Sequence, residues 1–340
     1  MPDPAGLGQG PRPWSLGVIG AGQVVTNAHL PVLTTSLDTN VVWVSDIDPK
    51  KTASIARAQG AQMCAVDDLW RGLADVNVVL LAVPYGARPR YYELLAGFPS
   101  VALFVEKPLA RTVEEHRSIC RPYADYQIAC DLNRRAADTV RAVKDLVQHR
   151  VFGQLREVRA AFAQRGALLG GGQYNSSLQL AGGGVLLEMG VHYLDTVLFC
   201  ASATDIRLES GRMIVDLGFD LHTEAVMTMT LPGGGEIPLD VVVSVLSEPR
   251  EGIEFIFEHA ALSLSLSRGQ LALRSLDRGY DVDLSPTFAA HFVTSFQHVF
   301  AMWRDFLDGV TRRQAGFASA YSSLLTTKSV ELLYSLPATQ

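Results

Sequence analysis

From Trp14 to about Asp131 the chain alternates short apolar runs with stretches whose apolar residues recur at helical spacing, and this alternation restricts the fold more than any other feature. Leu16 to Ile19, Val41 to Ser45, Val76 to Val83, Val101 to Val105 and Gln127 to Cys130 are too uniformly apolar to turn one face to water, so they predict strands buried on both sides. Between them, Ala28 to Leu37, Lys51 to Ala58, Arg90 to Leu95 and Val113 to Cys120 predict helices. Strands that alternate with helices imply a parallel sheet with helices on both faces, an α/β unit of the doubly wound kind.

After Asn133 the pattern changes. Ala136 to His149 predicts a helix; then come runs with a period of two, such as Leu262-Ser263-Leu264-Ser265-Leu266-Ser267 and Met227-Thr228-Met229-Thr230, which suit antiparallel strands with one covered face. Pro232-Gly233-Gly234-Gly235 reads as a hairpin turn, and Phe292 to Leu307 and Ala318 to Tyr334 as closing helices. A single core seldom grows to fill a chain of 340 residues. Two domains are expected, 1–131 and 132–340, with the C-terminal helix packing back on the first.

Bulk composition sets limits on function. Hydrophobic residues make up 48% and charged residues 19%, which favours full cores over disorder. The net charge of -6 and the lack of a basic run argue against nucleic acid as a partner. No uninterrupted apolar stretch reaches bilayer length, and Met1 to Pro13 has neither the basic nor the apolar part of a secretory leader, so no membrane contact and a cytoplasmic location are expected. Cys64, Cys120, Cys130 and Cys200 are scattered, as in isolated thiols of a reducing compartment. The histidines show no HxxxH or HExxH spacing, and no metal is expected.

Three motifs carry chemistry. Gly20-Ala21-Gly22 follows the first strand and precedes a helix, where backbone N–H groups can approach a pyrophosphate; Val25 occupies the third glycine position of the GxGxxG pattern. Asp46, at the end of the second strand, is placed to bind an adenine ribose and to repel a 2'-phosphate, which favours NAD. Lys50 and Lys51 keep NADP as the alternative, unless they are solvated residues at a helix start. Glu106-Lys107-Pro108 stands at the carboxyl end of a strand, where open parallel sheets bind ligands, and an ammonium there would stabilise a developing alkoxide. The same tripeptide alone would read as a surface turn.

The third motif runs from Gly182 to Asp195: a glycine-rich turn opens an apolar helix on which Glu188 and His192, four residues apart, share a face. They form a candidate acid/base pair, with Asp195 one turn on as a partner that would orient the imidazole. A lone histidine on an apolar helix is more often a core residue, and the presence of Lys107 is what shifts the reading toward catalysis.

In this order and spacing, the glycine turn, the EKP tripeptide and the GGGxLxxxGxHxxD segment resemble the glucose-fructose oxidoreductase / inositol dehydrogenase / MocA family, over nearly the whole chain from Trp14. The resemblance implies a Rossmann domain followed by an α+β domain with a large, mostly antiparallel open sheet whose free face holds copies together as a dimer or tetramer. It implies hydride transfer between a nicotinamide and a secondary hydroxyl or ketone of a sugar, cyclitol or sugar derivative. Lys107 matches the family's substrate-orienting lysine and His192 its general base, while Glu188 stands where aspartate is common and reaches one methylene further. Gly20, Gly22, Gln23, Val24, Asp46, Pro84, Glu106 and Lys107 are the expected cofactor-binding set; Lys107, Arg135 and His192 are expected to meet substrate, Arg135 because Asn133-Arg134-Arg135 resembles the substrate-side start of the second domain. Arg88 falls where many members have histidine, which would suit an anionic substrate group or a plain surface charge.

The reading is an NAD(P)-dependent dehydrogenase or reductase in which His192 takes the hydroxyl proton, Lys107 stabilises the oxygen, and Glu188 or Asp195 tunes the imidazole. Its rivals are a redox-neutral NAD-dependent glycosidase of the same fold and a non-catalytic nucleotide or ligand sensor. Substrate identity depends on loops such as Gly166 to Leu180, whose course the sequence does not give.

Overall fold

The computed structural model describes residues 14–35, 37–166, 177–289 and 295–339. Expectations for Met1 to Pro13, for the first residues of the Phe292 helix and for most of the Gly166 to Leu180 loop fall outside the described residues.

The first sheet contains β1 (Trp14–Ile19), β2 (Thr39–Ser45), β3 (Gln62–Met63), β4 (Val78–Leu81), β5 (Ala102–Val105) and β6 (Ile128–Cys130), all parallel, in the order β3-β2-β1-β4-β5-β6. This is the doubly wound order, whose direction reverses beside β1 and opens a ligand crevice at the strands' carboxyl ends. Successive side chains of a strand point to opposite faces. Val78, Leu80, Ala102 and Phe104 accordingly join one core layer, and Val79, Leu81, Leu103 and Val105 the other. The edge strand β3 is two exposed residues long and carries no apolar run, which is why periodicity misses it.

Each predicted helix of this unit is present, with ends set by local chemistry. Pro49–Gln59 begins at Asp48, whose carboxylate accepts the Lys50 and Lys51 N–H groups, and ends at Gly60 in the left-handed conformation. Val113–Cys120 begins at Thr112, whose hydroxyl accepts the Glu115 N–H.

The second sheet has nine strands: β7 (Leu155–Ala163), β8 (Asp205–Asp216), β9 (Phe219–Thr230), β10 (Glu236–Ser244), β11 (Arg250–Phe257), β12 (Ala260–Ser265), β13 (Gln270–Ser275), β14 (Asp281–Asp283) and β15 (Ala338–Thr339), ordered β14-β13-β12-β11-β7-β10-β9-β8-β15. It is antiparallel except at β7–β10 and β8–β15. Met227, Met229, Leu262 and Leu264 enter the core against the helices Asp138–Gln148 and Val191–Ala201, as the period-two runs predict. The opposite face displays ion pairs such as Arg212–Glu224 and Arg274–Glu254. Residues 232–235 make the β9–β10 turn, with Gly233 and Gly234 at φ of 93° and 86°.

The helix Ser295–Arg312 packs against the first sheet: Val299, Met302, Trp303, Phe306 and Leu307 lie in the layer that holds Leu16, Val18 and Phe104. The expected helix from Ala318 to Tyr334 is divided into a 3-10 turn, Ala320–Ser323, and the helix Leu324–Tyr334. One helical run, Leu178–Ala201, has the length and hydropathy of a membrane span, but 83% of that window is buried within the protein, as in a core helix.

Candidate active site

Gly20 closes β1 at φ +112°, and a Cβ there would sit 2.4 Å from the Ala82 carbonyl oxygen at the end of β4. Only glycine fits that position. Gly22 faces open space, with no atom within 4 Å of where a Cβ would stand, so a pyrophosphate can approach the loop backbone. Gln23 and Val24 are exposed at the helix start, and Val25, in the third glycine position, is buried at the head of a π-helical turn, Val25–His29, that runs into the helix Leu30–Thr35. Asp46 is fastened beside this loop: Oδ2 accepts the Ala21 N–H at 2.6 Å and Oδ1 the Asp48 N–H at 2.8 Å. Each oxygen retains a second acceptor site for a ribose hydroxyl. Lys50 and Lys51 are exposed at a helix start, and Lys51 lies 3.9 Å from the Asp48 carboxylate. These residues fit a dinucleotide with an unphosphorylated adenine ribose.

On the other side of the crevice, Glu106 and Lys107 follow β5, and the Lys107–Pro108 peptide bond is cis. Arg88 corrects the sequence reading, because it is neither a surface charge nor a substrate group. Its guanidinium is buried and donates to the carbonyls of Val83 (2.9 Å), Glu106, Lys107 (3.2 Å) and Pro108, which pins the tripeptide to the turn that starts at Pro84. No helical or strand period signals such a clamp.

The second domain brings its residues to Lys107 on a capped helix. Gly184 passes so close to β9 that a Cβ would fall 2.0 Å from the Asp220 carbonyl oxygen, and the Asp220 carboxylate accepts the N–H groups of Gly184 and Leu186 and the Tyr334 hydroxyl. Asp220 and Tyr334 were not legible as site supports. The capped segment runs through a π-helical turn, Leu186–Gly190, into Val191–Ala201. Lys107 Nζ donates to the Glu188 carbonyl at 2.8 Å and to Glu188 Oε2 at 3.1 Å. Glu188 therefore pairs with Lys107 and makes no hydrogen bond with His192 among the described residues.

His192 Nδ1 is sealed from solvent with no hydrogen-bond partner. Burial, then the Lys107 ammonium, then Arg134 hold its pKa well below the ordinary histidine value, so the ring is neutral and can accept a proton. The expected bond from Asp195 to this ring does not form. Asp195 instead takes Arg135 Nε at 2.8 Å and Nη2 at 2.5 Å, and the Thr326 hydroxyl at 2.8 Å, all in the interior. Arg135 also donates to the Phe317 carbonyl and the Ser322 hydroxyl, which leaves it facing away from any crevice. Its neighbour Arg134 is half-buried, lies close enough to depress His192, and donates to the Leu266 carbonyl at 3.2 Å. Of the two arginines, Arg134 is the one whose charge acts on His192.

Known proteins fit this geometry. Residues 14–130 match the model of the oxidoreductase family with an NAD-binding Rossmann fold, and residues 140–263 match a GFO/IDH/MocA C-terminal domain. The chain is 27% identical over 190 residues to D-glucoside 3-dehydrogenase of Escherichia coli (strain K12), a match that covers 55% of this chain and 54% of that protein. It is 27% identical over 218 residues to dTDP-3,4-didehydro-2,6-dideoxy-alpha-D-glucose 3-reductase of Streptomyces antibioticus, covering 61% and 64%. The matches thus span between half and two thirds of each curated relative. The fold is shared with levoglucosan dehydrogenase in complex with NADH, at a TM-score of 0.77 and 15% identity over 95% of this chain and 96% of that one. Both halves match in order, and the chain belongs to the GFO/IDH/MocA family of NAD-binding oxidoreductases.

Proposed function

We propose that the protein transfers a hydride between NAD and a secondary hydroxyl or ketone of a sugar ring. The observation that carries this reading is the meeting of Lys107, from the first domain, with the Glu188–His192 helix of the second, at the carboxyl edge of the first sheet. Bound NAD supplies the hydride acceptor in oxidation and the donor in reduction.

The protein's own groups divide the remaining work. His192, kept neutral by burial and the neighbouring cations, takes the hydroxyl proton. Lys107 spends two of its three N–H donors on Glu188 and directs the third at the substrate oxygen, where it stabilises negative charge. Glu188 orients that ammonium. Asp46 and the glycine loop favour NAD over NADP. The names of both curated relatives specify carbon 3 of a hexose-type ring, which makes that carbon the expected position of attack.

The same reading takes 1–131 and 132–340 as the two domains, places the protein in the cytosol, where its free cysteines stay reduced, and uses the open face of the second sheet to join copies into a dimer or tetramer. The test is nicotinamide absorbance with NAD and a panel of glucosides, free hexoses and cyclitols. Turnover on a ring-hydroxyl substrate, abolished in Lys107→Ala, is the expected result. Tight NAD binding with no turnover on any member of the panel would overturn the proposal.

A further inference from the structure

Behind Lys107 lies a buried chain of polar groups whose members come from distant parts of the sequence. The Trp303 indole N–H donates to His29 Nδ1 at 2.9 Å, and His29 Nε2 meets Glu106 Oε1 at 2.8 Å. Glu106 Oε2 in turn accepts the backbone N–H of Lys107 at 3.1 Å. Asp131 closes the group, with Oδ2 at 3.8 Å from His29 Nε2 and Oδ1 buried without a partner. Trp303 and His29 are fully buried, and Glu106 and Asp131 nearly so.

His29, Glu106 and Asp131 bring ligand atoms within 4.8 Å of one another, close enough to suggest a metal cage. The indole argues against it. An indole N–H has no lone pair to offer, so His29 Nδ1 must accept, and the ring proton sits on Nε2, where a metal would need the lone pair. Burial opposes a charge on His29, but the hydrogen bond and charge of Glu106, with Asp131, outweigh it and raise the ring's pKa; against this, a second ring proton would point N–H at N–H across 2.9 Å, and that contact with the indole keeps the ring neutral. Burial pushes Glu106 up, but its hydrogen bond from His29, together with the Lys107 and Arg88 cations, favours the ionised form. Burial and the charge on Glu106 push Asp131 up to about 7. Near pH 7 Asp131 is therefore about half protonated, while Glu106 keeps its negative charge.

We propose that Trp303 and His29 are positioning residues for Lys107: the indole fixes the imidazole tautomer, the imidazole N–H holds Glu106, and Glu106 holds the backbone that aims the ammonium. The helix Ser295–Arg312 thereby belongs to the active-site machinery, although it lies far from the motifs in sequence. This inference rests on the role proposed for Lys107, but its first test needs neither substrate nor cofactor.

Histidine-selective 15N NMR of the cofactor-free protein should show His29 with a bare Nδ1 and a protonated Nε2 from about pH 6 to pH 8, unchanged by added Zn2+. In Trp303→Phe, which keeps an aromatic ring and loses the donor, Nδ1 is free to take a second proton, so the His29 signals should move to the doubly protonated form within the same pH range, and the Lys107 signals of 13C-lysine-labelled protein should move. In the activity arm, with methyl α-D-glucopyranoside as probe, Trp303→Phe and His29→Leu should lower kcat about tenfold to a hundredfold with KM nearly constant, the size expected for a misdirected catalytic group. His29→Gln, which retains an N–H toward Glu106, should recover most of the loss. A doubly protonated or Nδ1–H His29 in the wild type, a Zn2+ complex that removes the Nε2–H signal, or a folded His29→Leu with unmoved Lys107 signals would overturn the inference. Absence of wild-type turnover on every sugar would count against the proposed reaction and leave the NMR result to decide the relay.

Discussion

The Lys107–Glu188 and Arg135–Asp195 pairs join the same kinds of charge, the first between the two sheet-bearing parts of the chain and the second within the C-terminal part, in opposite settings. Arg135 and Asp195 have 3% and 1% of their side-chain surface exposed, and nearby hydroxyls and carbonyls use their remaining capacity. Lys107 and Glu188 keep 17% and 37%, and the neighbouring His192 Nδ1 has no partner. A saturated buried pair has nothing left to give a ligand, and removing one member strands a charge. An unsaturated, half-exposed pair contributes little to stability and retains the donors that a reaction uses. Chemical type made both pairs candidates; saturation separates them.

The sharpest way to break this contrast is to disable each pair and read activity and stability together. His192→Asn should lower kcat by about 10²- to 10⁴-fold and Lys107→Ala by about 10²- to 10³-fold, with melting temperatures close to wild type. Loss of fold in either variant, or full activity, would put that residue with the structural pair. Arg135→Met should instead cost about 3–5 kcal/mol in chemical denaturation, because Asp195 is left buried without a counter-charge, and Arg135→Met/Asp195→Leu should recover part of it. An Arg135→Met protein of wild-type stability would contradict the assignment.

Smaller effects sharpen the picture. Asp46→Ala should erode the preference for NAD over NADP in fluorescence titrations, because the carboxylate that excludes a 2'-phosphate is gone. An unchanged preference would confine Asp46 to shaping the glycine loop. The pH profile tests the setting of His192. A base must be neutral to accept a proton, and burial, Lys107 and Arg134 lower its pKa, so kcat/KM for oxidation should stay level as pH falls through 6.5 and decline only at more acidic values. Arg134→Gln removes one of those causes and should move the decline toward higher pH. A decline already under way above pH 6.5 in the wild type would contradict the neutral, cation-flanked ring.

The fold was largely legible because burial writes itself into local periodicity: the uniformly apolar Val101 to Val105 could only be an interior strand, and Leu262 to Ser267 only a one-sided one. The site motifs were legible where glycine is required by backbone contact, as at Gly20 and Gly184. What stayed hidden was pairing across long separations. The helical spacing of His192 and Asp195 suggested a bond, but the carboxylate turns toward Arg135 and Thr326, whose nearness depends on tertiary packing. Arg88 was hidden for a related reason, since its partners are backbone carbonyls that carry no residue signature. Trp303 and His29 come from opposite ends of the chain and leave no local pattern at all.

The central claim is that Lys107 and His192 converge on one reacting oxygen. A crystal structure of the protein with NAD and a turned-over glucoside tests it most directly. One ring hydroxyl should have its oxygen about 3 Å from both Lys107 Nζ and a His192 ring nitrogen. A bound sugar whose oxidisable hydroxyl meets neither group, or meets a different acid/base pair, would contradict it.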